Sequence, residues 1–347
     1  MAAVTMLWGL APAAGAHAAG VQTAGARAGA PAATVTAFVD VAVATVWTSP
    51  TSPRSKIDAP AVSNPVNMAQ WLANMNTSQR RWLTTANATQ TQAIYGRPVY
   101  ILATQPGWDE VAVPGQPTPK NSLGYPGWIP AGQLVQNATF ASEQAQPFAQ
   151  VNAAPQAWLY NDAQMTQPFM QVSVSTRLPE LGQDPTTSAI EVDTPAEGPK
   201  WLCPASAAIY RSTSAIPVPT GADLVATAQM FLGVDYLWAG RSGWMFDCSG
   251  LTGVIYEAWG IAIPRDADAQ ALDGGATRVA TQADQTTANL QPGDIMFYAT
   301  GGTGSIYHDA LYAGNGQMIE AYGAGVPVRI TPVRFGTDYW GAVRYLQ

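Results

Sequence analysis

The chain has 347 residues, 47% of them hydrophobic and 11% charged, and its 16 basic and 23 acidic side chains leave a net charge of −7. About 150 residues per domain predicts two or three domains, and so apolar a chain is no disordered tail. The 32 Gly and 27 Pro keep every apolar run past the extreme N-terminus below the ~18 residues of a membrane span, and three lysines in an acidic chain provide no basic face for nucleic acid.

Residues 1–19, MAAVTMLWGLAPAAGAHAA, are uncharged and apolar, and Ala16-His17-Ala18 fits the small-x-small pattern of a signal-peptidase site. The basic start of such a segment is missing, since the first cation is Arg27, and a small-residue tail is the other reading. With cleavage, His308 is the only histidine of the mature chain, and the address is periplasmic or extracellular, at the cell wall. Residues 20–34 read as a linker. Thr36 to Trp47 reads as one β-branched strand, broken by SPTSPR. Residues 65–93 have helical spacing, with Met68, Trp71, Leu72 and Met75 on one stripe, and Thr77-Ser78 as the cap of a second short helix carrying Trp82 and Leu83. Strands return at 98–103 and 108–113, then GYPGWIPAGQL at 124–134. Together, residues 35–140 are expected to form a small β-barrel with a helical insertion.

A second barrel is expected over 150–213, where strand, turn, strand and a late Trp-Leu echo the first. After the SAIPVPTG linker the character changes, placing the last domain at 215–347, with a helix at 222–233. Cys248 is followed by Leu251, Val254, Ile255, Ala258 and Trp259 at helical spacing, ending at Gly260. The cysteine then sits at a helix N-terminus, where N–H groups and the dipole favour a thiolate, and Ser249 and Gly250 are small enough for a substrate to approach. A buried structural thiol is the alternative. Cys203 reads as barrel core.

His308 lies on a strand with Ala310 and Tyr312 on the same face, before a Gly-Asn-Gly turn. A two-residue loop at Asn315-Gly316 pairs Ala310 with Ala321 and turns Glu320 away from His308. A three-residue loop at 314–316 pairs Ala310 with Glu320, so that the carboxylate can orient the imidazole. Both registers are open from sequence alone. Two cysteines and one mature histidine cannot build a zinc site, and no metal or cofactor is expected.

Four segments, DYLWAGRSGWMFDCSG (235–250), GIAIPRDADAQA (260–271), LQPGDIMFY (290–298) and the His308–Glu320 hairpin, together resemble the NlpC/P60 family of papain-like cysteine peptidases. The upstream barrels resemble bacterial SH3-like domains. The three-part order resembles γ-D-glutamyl-L-diamino acid endopeptidases acting on cell-wall peptides. The fold class implied is α+β, a papain-like NlpC/P60 domain preceded by two SH3-like β-barrels. By that resemblance Cys248 is the nucleophile, His308 the general base and Glu320 the third member, where many relatives carry histidine. Tyr236 matches a tyrosine forming the oxyanion site with the Cys248 backbone N–H.

The resemblance also implies substrate contacts: Asp247, Ser249, Arg265 and Asp266 beside the cysteine, and Tyr125 from the first barrel, around a free N-terminal L-Ala. Gln90 stands where an acidic residue is expected and Ala267 where serine is frequent, which removes polarity from that pocket. Each residue also has an ordinary reading: Asp247 as helix N-cap, Arg265–Asp266 as a surface ion pair, Tyr125 as barrel core. Trp128, Trp201, Trp238 and Trp244 read as packing. The expected partner is therefore a peptidoglycan stem peptide, cut between γ-D-Glu and diaminopimelate or lysine by a monomer. The competing readings are a non-catalytic wall-binding or adhesion protein, and an amidase or acyltransferase on the same fold.

Overall fold

The computed structural model describes residues 35–347; the expected signal segment 1–19 and linker 20–34 lie outside the described residues. The first barrel contains β1 (Val35–Val39), β2 (Val43–Trp47), β3 (Thr89–Ile94), β4 (Pro98–Gln105), β5 (Trp108–Val113), β6 (Tyr125–Pro130) and β7 (Leu134–Val135). Between β2 and β3 lie α1 (Ala59–Val62), α2 (Met68–Ala73) and α3 (Thr77–Thr85). The predicted single strand 36–47 is two strands that bend at Asp40–Ala42. The helical stripe is real: Met68, Trp71, Leu72 and Met75 are all buried. It stops sooner than the spacing suggests, because Asn87 takes a left-handed φ of 46° and the polar run from Thr89 becomes β3. Asn76, rather than Thr77-Ser78, caps α3 through a reciprocal bond with Gln79.

After α4 (Ala138–Glu143) the second barrel runs through β8 (Phe148–Val151), β9 (Gln156–Tyr160), β10 (Pro168–Ser173), β11 (Arg177–Gln183), β12 (Ile190–Val192), β13 (Lys200–Leu202) and β14 (Ala207–Tyr210). The first barrel's strand order is β3-β2-β6-β5-β4-β1-β7 and the second's β10-β9-β13-β12-β11-β8-β14. Counting strands from the start of each barrel, the two orders are the same, so the faint sequence echo is a repeated topology. Cys203 is a free thiol only partly buried, outside the barrel core.

The last module begins with α5 (Gly221–Gln229), closed by a Thr220–Asp223 capping box. Three short strands follow, β15 (Asp235–Tyr236), β16 (Arg241–Ser242) and β17 (Met245–Phe246), and then α6 (Cys248–Glu257) and α7 (Ala267–Leu272). A six-stranded sheet of β18 (Thr277–Thr281), β19 (Ile295–Ala299), β20 (Ile306–Gly314), β21 (Gln317–Glu320), β22 (Arg329–Pro332) and β23 (Tyr339–Arg344) completes it. Helix α6 is buried along its whole length, with Leu251, Val254 and Ile255 packed against Phe297, Leu311 and Ile319 of the sheet. Such all-round burial makes this helix the centre of the module's core. Among the described residues no helix is long and apolar enough to cross a membrane.

The first barrel is locked onto this module by buried polar contacts. Gln92 Oε1 accepts from the Arg241 backbone N–H at 2.9 Å and from Ser242 Oγ at 2.8 Å. Arg265 Nε donates to Thr91 Oγ1 at 2.8 Å, and Arg265 N–H to the Pro117 carbonyl at 2.9 Å. Buried polar groups with partners hold a single geometry better than apolar contact does, and here they fix where Tyr125 meets the cysteine helix. Trp128, Trp238 and Trp244 pack at the same junction.

Candidate active site

Asp247 caps α6: its side chain accepts from the Gly250 N–H at 2.7 Å, which stops the helix one residue before Cys248 and leaves the cysteine at N1. Gly250 is small because the chain passes close by, since a Cβ there would lie 2.0 Å from the Gly240 carbonyl oxygen. The expected opening for substrate at this position is taken by backbone.

Strand β21 ends at Glu320, so the His308–Asp309 end of β20 has no strand on that side. The Cys248 sulfur lies there, facing the backbone N–H groups of Asp309 and Ser249. These N–H groups lower the thiol's pKa, as the helix end predicts. Burial raises it more, aided by the Asp247 charge and by Asp309 whenever that carboxyl is ionised. The net shift is upward, so the resting group is a thiol rather than the expected thiolate.

Leu311 pairs with Ile319 and Tyr312 with Met318, and after a bulge Gly314 pairs with Gln317. The loop is thus Asn315-Gly316, yet the bulge restores the register of the three-residue alternative. Glu320 comes to the His308 face, and His308 Nε2 lies 2.8 Å from Glu320 Oε2. Two arginines, both missed from sequence, complete the clamp: Arg329 Nη2 donates to Oε1 at 2.9 Å and Arg334 Nη1 to Oε2 at 2.8 Å. Burial opposes the Glu320 charge, but His308 and Arg334 outweigh it and hold the carboxyl down to about 2. Because Glu320 is ionised, Nε2 carries the imidazole proton and Nδ1 is the free lone pair. Burial keeps His308 below its ordinary value despite Glu320, so the resting ring is a neutral base. The two arginines also cancel much of the charge that would otherwise protonate it.

Tyr236 is buried beside Cys248, and its hydroxyl is held neutral first by burial and then by the neighbouring sulfur. At the other end of the cleft Asp247 has no oxygen to spare. Besides capping α6 it accepts from the Ala239 N–H at 2.9 Å, and Arg265 grips it at 3.0 and 2.8 Å. Arg265 is fully buried and also reaches Ser249 Oγ at 3.0 Å. It is therefore an internal brace rather than half of a surface pair with Asp266.

Asp266 instead turns to the barrel. It precedes α7 but makes no capping bond, and Tyr125 Oη donates to its carboxylate at 2.8 Å. Lys120, also missed from sequence, lies 2.9 Å from Asp266 and 4.3 Å over the Tyr125 ring. Tyr125, Gln90, Asp266, Asp247, Cys248 and Ser249 line one cleft. Gln90 donates its amide to Thr48 Oγ1 at 2.6 Å, which leaves its carbonyl oxygen as an acceptor. One wall of this cleft is barrel and the other is the cysteine helix.

The chain is similar to known proteins. The chain matches the NlpC/P60 family over residues 233–344 and the YKFC SH3b2 domain over 153–210. It is 42% identical over 314 residues, 89% of this chain and 91% of the other, to the γ-D-glutamyl-L-lysine dipeptidyl-peptidase of Bacillus cereus. The Bacillus subtilis protein of that name is 33% identical, over 83% of this chain and 90% of its own length. A crystal structure of an NlpC/P60 family protein from Bacillus cereus superposes with a TM-score of 0.83 at 41% identity, covering 90% of this chain and all of that one. With SH3-like barrels leading to a domain built around a buried cysteine helix, the chain belongs to the NlpC/P60 family of cysteine peptidases.

Proposed function

We propose that this peptidase cleaves the bond between γ-D-glutamate and the following diamino acid in cell-wall stem peptides, releasing an N-terminal dipeptide that begins with a free L-Ala. The observation that carries the reading is the Tyr125–Asp266 contact, in the cleft that Cys248 also lines, which we take as the closed end of that cleft. A closed end measures a fixed distance from the chain terminus, and a carboxylate there selects a terminal ammonium. The names of the Bacillus relatives describe the same operation, a dipeptide cut after γ-D-glutamate. Cell-wall peptides lie outside the cytoplasm in exporting bacteria, and the chain acts there or on fragments released from there.

In the mechanism His308 Nδ1 takes the thiol proton as Cys248 attacks the γ-carbonyl, forming a tetrahedral oxyanion. The Cys248 backbone N–H and the Tyr236 hydroxyl supply donors to that oxygen. Glu320 stabilises the imidazolium, which then protonates the departing α-amine of the diamino acid. Water, deprotonated by the same ring, hydrolyses the thioester and restores the thiol.

Asp266, with Tyr125 and the Gln90 carbonyl, receives the ammonium, while Asp247, Ser249 and Arg265 hold the helix end in place. The ammonium must displace Lys120 from Asp266. Asp266→Asn is therefore expected to raise KM for L-Ala-γ-D-Glu-L-Lys about 10²-fold, the loss of one charge-assisted contact. Lys120→Met is expected to lower KM by a few-fold at about the same kcat. Steady-state kinetics on the two variants, with N-acetylated peptide as control, checks both. Equal turnover of free and acetylated peptide by the parent enzyme would remove the ammonium reading.

A further inference from the structure

Behind the nucleophile stands a carboxyl that this mechanism does not use. Asp309 follows His308 on β20 but faces the opposite side of the sheet, toward α6, and is fully buried. Its Oδ2 lies 2.9 Å from Thr252 Oγ1, one turn along the helix from Cys248. Its Oδ1 is buried with no hydrogen-bond partner among the surrounding nitrogen and oxygen atoms, and the one further donor to the carboxyl among the described residues is the Cys248 thiol, whose proton the reaction removes.

Protons are too few there for an ionised group. Thr252 has one hydroxyl hydrogen, yet it faces Asp309 Oδ2, Gln270 Oε1 at 3.0 Å and the Ser249 carbonyl at 3.2 Å. Gln270 cannot help by turning over, since its Nε2 already donates to the Ser249 and Pro264 carbonyls at 3.1 and 2.9 Å. A proton on Asp309 resolves the shortage: its O–H donates to Thr252, and the Thr252 O–H passes on to Gln270.

We propose that Asp309 is the protonated head of a buried donor chain, Asp309–Thr252–Gln270, which backs Cys248, and that the peptidase works only while this carboxyl is neutral. Its neutral carbonyl oxygen takes no charge to the sulfur. Ionised, it would set a negative charge against the developing thiolate and retain the thiol proton.

The surrounding charges agree. Asp247 at the head of α6 adds negative charge, the Cys248 thiol as a hydrogen-bond partner favours the ionised carboxyl, and Tyr236 and Tyr345 are neutral phenols. His308 on the same strand is bound to Glu320. The cation in reach, Arg265, has its donors on Asp247, Ser249 and Thr91. Burial first, then the Asp247 charge, push the Asp309 carboxyl up to about 7, against the pull of Thr252, the Cys248 thiol and Arg265. The neutral form therefore persists below neutrality and is lost as the pH rises through that value.

The inference rests on Cys248 as nucleophile, and its test does not require a peptide to be cut. The rate of Cys248 alkylation by iodoacetamide is followed from pH 5.5 to 9.5 in the full chain and in Asp309→Asn, whose amide keeps the donor to Thr252 without acquiring charge. The variant is expected to move the thiol's apparent pKa down by about one unit or more, which raises the alkylation rate several-fold near neutral pH. In the unaltered enzyme labelled with carboxyl-13C aspartate, Asp40 and Asp309 are both expected to titrate near neutrality, and only the Asp309 resonance to shift when Cys248 is alkylated. That measurement stands even if the variant does not fold. Superimposable alkylation profiles, or no Cys248-sensitive carboxyl titrating above pH 5.5, would overturn the proposal.

Discussion

Replacing His308 with alanine is expected to lower kcat/KM by at least about 10³-fold, with KM changed far less. The size follows from the resting state of the pair. Burial, with the charge of Asp247, holds Cys248 as a thiol, so attack needs a base at the sulfur, and the only other histidine in the sequence is His17. Glu320 cannot substitute, since Arg334 still favours its ionised form in the variant and a carboxylate so held is a poor base for a thiol. The same ring must later protonate the leaving amine, so two proton transfers fail together. Because Glu320 remains satisfied by Arg329 and Arg334, the variant is expected to melt within a few degrees of the parent. Steady-state kinetics with a thermal melt separates loss of chemistry from loss of fold.

Glu257→Leu is expected to have the largest effect on stability, a loss of about 3–5 kcal/mol. Glu257 closes α6, deeply buried where the three modules meet. Arg97 of the first barrel and Arg241 of the peptidase domain both bind its carboxylate. Arg177 of the second barrel donates to its backbone carbonyl and, through Nε at 2.7 Å, to Gln150. Burial opposes ionisation, but Arg241, Arg97 and Arg177 overcome it and hold the carboxyl at about 2. Removing the anion leaves buried guanidinium groups without compensation. The sign with pH follows: a depressed folded pKa stabilises fully above the ordinary carboxylate value of 4.5, and the contribution fades as the pH falls toward about 2. The parent should therefore lose melting temperature over that acid window, whereas Glu257→Leu should lose less of it.

Much of this was legible in the sequence, and what was missed shares a physical cause. The α6 helix, the His308 strand and the faint echo between barrels rest on apolar periodicity, which burial enforces directly. The run Thr89–Ile94 escaped because its polar residues Thr91 and Gln92 are buried, each with partners from another module that no local pattern announces. The hairpin register was undecidable because a bulge at Ala313 changes the pairing without changing the loop. Arg265 and Asp266 are neighbours in sequence and so read as one pair, yet they face different partners across the cleft. Lys120, Arg329, Arg334 and Asp309 were passed over because each acts through a tertiary contact. Asp309 alone left a trace: a charged residue at a core-facing position of an otherwise apolar strand.

The most direct measurement is mass analysis of the products formed from L-Ala-γ-D-Glu-L-Lys and its diaminopimelate counterpart, each offered free and with the N-terminal amine blocked. The account predicts L-Ala-D-Glu plus the free diamino acid from the unblocked peptides, little from the blocked ones, and none from Cys248→Ala. Cleavage at the L-Ala–D-Glu bond, equal cleavage of blocked peptides, or products that persist in Cys248→Ala would contradict it.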